Sequence, residues 1–333
     1  MTALAAERVT GHQRPSKLCL PPAYSTAAGE EAVELCAAAG IVFDDWQNWA
    51  LTQACGTLDN GLWAAFEVGL LVSRQNGKNE ILLGRELAGL VHFHEQLIIH
   101  TAHEFKASSE HFRKMRRIFE ANPWLMRRVK PNGFRTTTGQ EAIELRAEPA
   151  LIFGPGAKLV RKSIEPRLRF LARSRGSGRS FTCDCLVYDE AMILSDDEVD
   201  ASLPTLSAVP NPQVFYTASA GYPDSVQLAR VRNRGLAGTD SSLAWLEWSI
   251  DPHGEFCDAS CTRHDEPADH AAWAKANPGL GIRLSIEHTQ REFEKMGSEG
   301  FMRERLGVGD WPAEEMRWGV IPEPLWDACA WVG

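Results

Sequence analysis

Long hydrophobic runs are missing from this sequence: none approaches the ~20 residues that cross a bilayer, so a membrane-spanning role has no support. A secretory leader is missing as well. The Ala-rich start is interrupted by Glu7 and Arg8 before an apolar region can form, and the expected residence is cytoplasmic. An excess of positive charge is also absent. Lys and Arg number 35 against 44 Asp and Glu, a net charge of −9, which argues against a basic coat over the whole surface while leaving room for a local one. Cysteine occurs at 19, 36, 55, 183, 185, 257, 261 and 329 without a repeated CxxC frame, and reduced, mostly buried thiols are the default for a cytosolic chain of this size. Cys257, Cys261 and His264, with His253 nearby, offer the residue types that hold zinc, though at an unorthodox spacing and in Pro/Asp-rich surroundings that read as a loop. What is present, 44% hydrophobic and 24% charged residues over 333 positions, fits a globular protein with one large or two modest domains.

The most informative stretch is EVGLLVSRQNGKNEILL, residues 67–83. An apolar run, Val68–Val72, meets a polar turn with one glycine and one lysine, and an apolar run then resumes. That pattern writes a buried strand, an anion-binding turn and a helix. Glycines let backbone N–H groups close around phosphates, lysine reaches the terminal phosphates, and the helix N-terminus adds its dipole. Taken alone the match is loose: Ser73 stands where the first glycine belongs and Asn79 where a hydroxyl belongs, so a strand-turn-helix without chemistry reads the stretch equally well.

The rest of the chain supplies context. FDDWQNWALTQACG (43–56) reads as a helix capped by Asp44 or Asp45, and Gln47 offers both a donor and an acceptor to an adenine edge, although Trp46 reads as core. Strands are expected over 66–72, 96–102, 142–146, 151–153, 159–161, 168–172, 185–188, 213–217 and 243–249, with helices over 78–93, 103–120, 195–207 and 226–235. CDCLVYDEA (183–191) is an apolar strand ending in Asp189-Glu190. An acid at the carboxyl end of a parallel strand faces the crevice where ligands bind; Asp189 would hold a Mg²⁺ complex directly or through water, and Glu190 would orient and activate an attacking water. The next strand runs into Thr217, Ala218 and Ser219, which either sense a γ-phosphate or simply cap a strand end. Between Lys158 and Arg179 the basic residues Lys158, Arg161, Lys162, Arg167, Arg169, Arg173, Arg175 and Arg179 face a single acid, Glu165, a local basic region with an anionic partner or a solvated face. The expected organisation is a peripheral segment over 1–42, an α/β core with a mostly parallel sheet covered on both faces over 43–250, and a small helical subdomain over 251–320. The final residues, 321–333, stop as a new apolar run begins and read as the start of a linker.

The ordered set resembles the ATPase half of the large terminase subunit of tailed bacteriophages, over about residues 43–320. WQ at 46–47 is similar to its adenine-side glutamine motif, SRQNGK at 73–78 to a departing Walker A with an arginine inside the phosphate loop, LVYDEA at 186–191 to Walker B with its catalytic glutamate, TAS at 217–219 to the coupling motif, and WAKANPGLG (273–281) with FMRERLG (301–307) to the lid. The resemblance implies a P-loop NTPase fold with a helical lid, and a motor that hydrolyses ATP with Mg²⁺ to drive double-stranded DNA into a procapsid. It would work in the host cytoplasm, transiently at the portal vertex, as a homo-oligomeric ring (a pentamer when docked) with the portal protein and the small terminase subunit. It implies an ATP site of Gln47, Ser73, Arg74, Gln75, Asn76, Gly77, Lys78 and Asn79, with Lys78 on the β/γ-phosphates, Arg74 at the γ-phosphate in cis, Glu190 polarising water, Asp189 at Mg²⁺, and Thr217, Ala218 and Ser219 relaying the nucleotide state to the lid. It also implies an arginine acting in trans, for which Arg173, Arg175 and Arg179 are the candidates.

Two departures stand out. Asn79 replaces the Ser/Thr that would ligate Mg²⁺; an amide oxygen binds a hard cation without the same compact geometry. The family continues into a nuclease domain that would begin near residue 333, so no nuclease activity is expected here, and the polar stretch His264-Asp265-Glu266 reads as a loop rather than a nuclease centre. Two other functions remain compatible: a helicase-like DNA-dependent ATPase, and a weakly hydrolysing nucleotide-binding assembly module.

Overall fold

A computed structural model describes residues 9–137, 139–173, 181–254, 257, 261–312 and 329. Its strands are β1 (Lys17–Cys19), β2 (Glu67–Leu71), β3 (Leu97–Ala102), β4 (Val129–Arg135), β5 (Ala142–Leu145), β6 (Glu148–Gly154), β7 (Lys158–Ile164), β8 (Arg167–Ala172), β9 (Cys185–Tyr188), β10 (Gln213–Ala218) and β11 (Leu243–Glu247). Its helices are α1 (Ala27–Ala38), α2 (Asp45–Ala54), α3 (Lys78–Val91), α4 (Phe105–Ala121), α5 (Pro123–Met126), α6 (Asp196–Ser202), α7 (Val226–Ala237), α8 (His270–Ala276), α9 (Ile286–Lys295) and α10 (Ser298–Leu306).

The strands read as apolar runs because they are buried on both faces. β2, β3, β9, β10 and β11 have no residue outside the buried class. The main sheet runs β1-β11-β2-β10-β9-β3-β8-β5-β4. From β11 to β8 every pair is parallel, whereas β1 joins one edge antiparallel and β5 and β4 extend the other antiparallel. Side chains alternate between two cores, as a period of two requires. In β9, Cys185 and Val187 join the core formed with α1–α4, while Leu186 and Tyr188 join the one beneath α6 and α7. In β2, Gly69 leaves room for the Trp245 ring: a Cβ there would lie 2.1 Å from that indole. β6 and β7 form a separate hairpin, with Lys158, Arg161 and Lys162 exposed on β7.

A third core belongs to the carboxyl-terminal helices. Trp273 of α8 is fully buried against Phe301 and Phe293, with ring centroids 5.7 Å and 5.8 Å away. We call this helical unit the lid.

The amino-terminal segment departs from the expectation that residues 1–42 are peripheral. β1 adds a strand to the main sheet with Lys17 opposite Glu247. Just before it, Gly11 N–H donates to Leu280 O at 2.9 Å and His12 N–H to Ala274 O at 2.8 Å, while Trp248 Nε1–H donates to His12 O at 2.8 Å. This segment stitches lid to sheet. The short strand escapes pattern reading because three residues between prolines 15 and 21 carry no periodicity. Residues 313–328 and 330–333, most of the expected linker, lie outside the described residues.

The helix that follows β2 is anchored by a buried charged cluster. Glu86 of α3 accepts from His100 Nδ1 at 2.7 Å and His111 Nε2 at 2.8 Å, and the two imidazoles stack at 4.2 Å. Burial pushes the Glu86 carboxyl up, but the charges and hydrogen bonds of His111 and His100 overcome it and hold it down at about 2. Burial opposes charge on His100, and Glu86 outweighs it, leaving His100 raised. The carboxylate's contribution is present above its ordinary value of 4.5 and lost as pH falls toward 2. The imidazole's is complete below 6.5 and lost as pH rises through the raised folded value. Glu86→Gln should therefore cost about 3 kcal/mol, with the largest Tm difference from wild type between pH 4.5 and 6.5. Melting curves across pH check this; a difference that grows above pH 8 would contradict it.

Candidate active site

The carboxyl ends of β2, β9 and β10 lie side by side, because β10 pairs with both of the others. A cleft of about 1040 Å³ opens there, lined by Arg74, Lys78, Asn79, Asp189 and Glu190 from the sheet side and by Arg283, His288, Glu292 and Arg305 from the lid.

The loop after β2 reaches its shape with one glycine. Gly77 takes φ +94° as the residue before α3, and Gln75 takes the left-handed region at φ +65°. A Cβ on Gly77 would stand 2.6 Å from Gln47 Nε2, so glycine is required there on two grounds. Asn76 is fully buried and replaces the missing glycines with hydrogen bonds. Its Nδ2 donates to Ser73 O (3.1 Å), Arg74 O (3.3 Å) and Asn277 Oδ1 (3.1 Å), and its Oδ1 accepts from Gly279 N–H (2.9 Å). Ser73 is buried too, its Oγ without a hydrogen-bond partner. Lys78 opens α3, half-buried at the cleft wall. Burial pulls its ammonium below the usual lysine range; Asp189 opposes that shift and Arg74 adds to it.

Gln47 sits beneath this loop. Its Nε2 donates to Gly77 O at 2.7 Å, and its Oε1 accepts from Asp44 N–H at 2.8 Å and from Arg283 Nη2 at 3.0 Å. Arg283 also pairs with Asp44 at 2.5 Å. The carboxamide thus links α2, the loop and the lid. Arg74 is exposed at the cleft and lies 3.5 Å from Glu304 of α10, while its carbonyl accepts from Arg305 Nη1 at 2.8 Å. Arg305 is in turn held by Glu292 at 2.6 Å.

At the end of β9, Asp189 Oδ1 accepts from Thr217 Oγ1 at 2.6 Å and from Glu190 N–H at 3.0 Å. Thr217, Ala218 and Ser219 are buried, and Ala218 O accepts from Val72 N–H at 3.1 Å, directly before the loop. Glu190 adopts φ 55°, ψ 47°, a left-handed conformation that costs a non-glycine residue roughly 1–2 kcal/mol.

Arg173 holds that turn. Nη1 donates to Asp189 O at 2.5 Å and Nη2 to Glu190 O at 3.1 Å, and Nε lies 3.8 Å from Glu198. Its side chain is 2% exposed. This corrects its standing as a candidate to act on a neighbouring subunit: a buried guanidinium committed to its own backbone cannot reach across an interface. Arg175 and Arg179 lie outside the described residues. The loop-to-lid contacts of Asn76, Asn277 and Arg305, and the role of Arg173, went unread in the sequence; the buried polar run Asn277-Pro278-Gly279 was the available signal for the first.

No family model matches this chain, and no curated protein matches it. Solved structures do. The HK97 bacteriophage large terminase superposes with a TM-score of 0.57 at 19% identity, over 80% of this chain and 51% of that one. The large terminase of a thermophilic bacteriophage superposes with a TM-score of 0.50 at 11% identity, over 79% and 52%. The fold is that of phage large terminases. It is an α/β P-loop NTPase fold, as expected, and the chain spans about half the length of the terminases it matches.

Asn76→Ala removes a buried carboxamide and leaves Gly279 N–H and Asn277 Oδ1 without their partner. We expect a loss of about 2–3 kcal/mol and faster hydrogen exchange at the Gly279 amide. Unchanged exchange at Gly279 would mean that the loop and lid are not held together by this residue.

Proposed function

We propose that this chain is the ATPase motor of a viral large terminase, hydrolysing ATP to move double-stranded DNA into a procapsid. The observation that carries the reading is the meeting of Lys78, Asp189 and Glu190 in one cleft, at the carboxyl edge of a parallel sheet, with Arg74 at its rim. ATP phosphates would lie on the loop Ser73–Asn79, with Lys78 on the β/γ-phosphates. Gln47 would stand on the adenine side, its position fixed through Gly77. The Glu190 carboxylate would accept a hydrogen bond from water and turn its oxygen toward the γ-phosphorus. The new phosphorus–oxygen bond forms as the bond to ADP breaks. Arg74 would balance charge on the transferred group, a role worth about 10³–10⁵ in rate elsewhere.

The donor set also suits Mg²⁺. Asp189 Oδ1 is occupied by Thr217 and Glu190 N–H, which leaves Oδ2 to hold the ion or its water, and Asn79 Oδ1 at the first turn of α3 is a second oxygen donor on the cleft wall. When bound, the ion would neutralise phosphate charge. In this reading Thr217 would carry the coupling: a change at Asp189 would reach the strand end, where Ala218 O accepts from Val72 N–H.

The exposed cations of β7 support a nucleic-acid partner, since such contacts to phosphates release counterions. Portal protein, small terminase subunit, a pentameric ring and action at the portal vertex of the procapsid in the host cytoplasm belong to the same proposal. No helix among the described residues is long and apolar enough to cross a membrane.

Three measurements test the reading. Lys78→Ala and Glu190→Gln should each lower phosphate release at least about 100-fold, with Glu190→Gln still binding an ATP analogue; unchanged release in Glu190→Gln would favour a nucleotide-binding assembly module. A motor should move duplex without separating strands, and strand separation would favour a helicase. Arg173→Ala should slow dilute subunits and assembled rings alike, because Arg173 acts within its own subunit. Replacing Arg175 and Arg179 should slow only the rings, and an equal loss in dilute monomer would remove the trans role.

A further inference from the structure

Outside this cleft, a group of metal-ligating side chains among the described residues converges without belonging to any of the three cores. The loop between β11 and α8 brings His253, Cys257, Cys261 and His264 together, with one ligand atom from each lying within 4.8 Å of all the others. His264 Nδ1 is 2.9 Å from Cys257 Sγ and 3.2 Å from Cys261 Sγ, and the His253 ring lies edge-on to that of His264 with centroids 5.9 Å apart. A tetrahedral zinc with Zn–S of about 2.3 Å and Zn–N of about 2.0–2.1 Å spaces its ligand atoms by roughly 3.3–3.8 Å, so the four side chains need only small adjustments to share one ion.

We propose that His253, Cys257, Cys261 and His264 form a structural zinc site at the junction of the central sheet and the lid. Two thiolates and two imidazoles are the donor set that selects zinc, and four protein ligands make a closed, structural site. Burial does not explain the convergence: His253 is exposed and the other three are half-buried. Bringing four side chains to one point costs rotamer freedom, which a metal offsets and a few thiol–imidazole contacts hardly do. The cysteines of this chain also divide into two kinds. Cys36, Cys55 and Cys183 are core residues whose thiols burial pushes up to about 12. Cys257 and Cys261 are instead half-buried in the loop, each with its Sγ beside His264 Nδ1, at 2.9 Å and 3.2 Å.

The loop's neck is already built to hold such a site. Asp265 N–H donates to Asp251 O at 2.7 Å, Asp251 N–H donates back to Asp265 Oδ2 at 2.8 Å, and Lys275 of α8 binds Asp265 at 2.6 Å. Lys17 of β1 binds Asp251 at 2.8 Å. Zinc would close the far end of a loop whose near end ties sheet to lid.

The test uses the full chain, purified under reducing conditions without chelator. Elemental analysis should find about one zinc per chain, and Cys257→Ser and Cys261→Ser should each lower that content at least about tenfold. Cobalt(II) exchanged into the wild type should give a thiolate-to-metal charge-transfer band with the visible bands of a tetrahedral site, a readout that does not depend on any variant folding. Three results would overturn the proposal: wild type without stoichiometric zinc, a Cys257–Cys261 disulfide in the freshly purified protein, or bound metal that lacks the thiolate band and survives both cysteine variants. The last would move the metal to the buried Glu86, His100 and His111.

Discussion

The loop after β2 is held to the lid by one of its own carboxamides. Asn76 uses its amide hydrogens on two loop carbonyls and on Asn277, and its oxygen on Gly279 of the lid. Because the group is buried, any rearrangement that separates loop from lid must expose or abandon these bonds. Arg305, gripping the Arg74 carbonyl from α10, and Arg283, gripping Gln47, add two more ties of the same kind. Lid position and loop shape are therefore one variable. A lid that swings must carry the loop with it or remake its contacts.

A second constraint works from the opposite wall. Glu190 bends left-handed, which aims a side chain following a buried strand into the cleft. The two peptide oxygens around the bend are held by Arg173, whose charge burial disfavours, with Glu198, Asp189 and Glu190 opposing that only in part. With Thr217 fixing Asp189, the acidic pair is positioned by rigid parts, and the variable parts are confined to the lid side. Under the proposed ATPase reading, that division would keep the acidic pair fixed while the lid side adjusts.

Much of this was legible in the residues. Central strands of a parallel sheet are buried on both faces, so 67–71, 97–102, 185–188 and 213–218 announce themselves as short apolar runs, and their ends carry the acids and hydroxyls. Asp189, Glu190 and Thr217 stand at or beside such strand ends, and Lys78 is read from the single-glycine turn that follows β2. What stayed hidden depends on partners distant in the chain. Arg173 sits among basic residues and looks like its neighbours, because a list of charges cannot tell a buried guanidinium from an exposed one. Asn76 reads as an ordinary turn residue until residue 279 lies beside it. Residues 9–19 look like an irregular, Pro-broken start, and become structural only because β11 presents a free edge.

The loop's unusual sequence is then explained by cost. A phosphate loop with several glycines reaches left-handed conformations freely. Here only Gly77 does so without penalty, and Gln75 adopts φ +65° at roughly 1–2 kcal/mol. The buried bonds of Asn76 offset that cost, each net bond contributing about 1 kcal/mol. The same substitution leaves the loop stiffer, since a non-glycine residue has fewer alternatives to visit. Stiffness also supports Arg74, whose backbone carbonyl is pinned twice, by Asn76 and by Arg305, while its guanidinium stays at the rim of the cleft opposite Glu304. Arg74 thus has a fixed root on the loop and an exposed tip 3.5 Å from Glu304 of α10. In this chain Asn76, in a turn with a single glycine, is thus part of how the loop and the lid are joined.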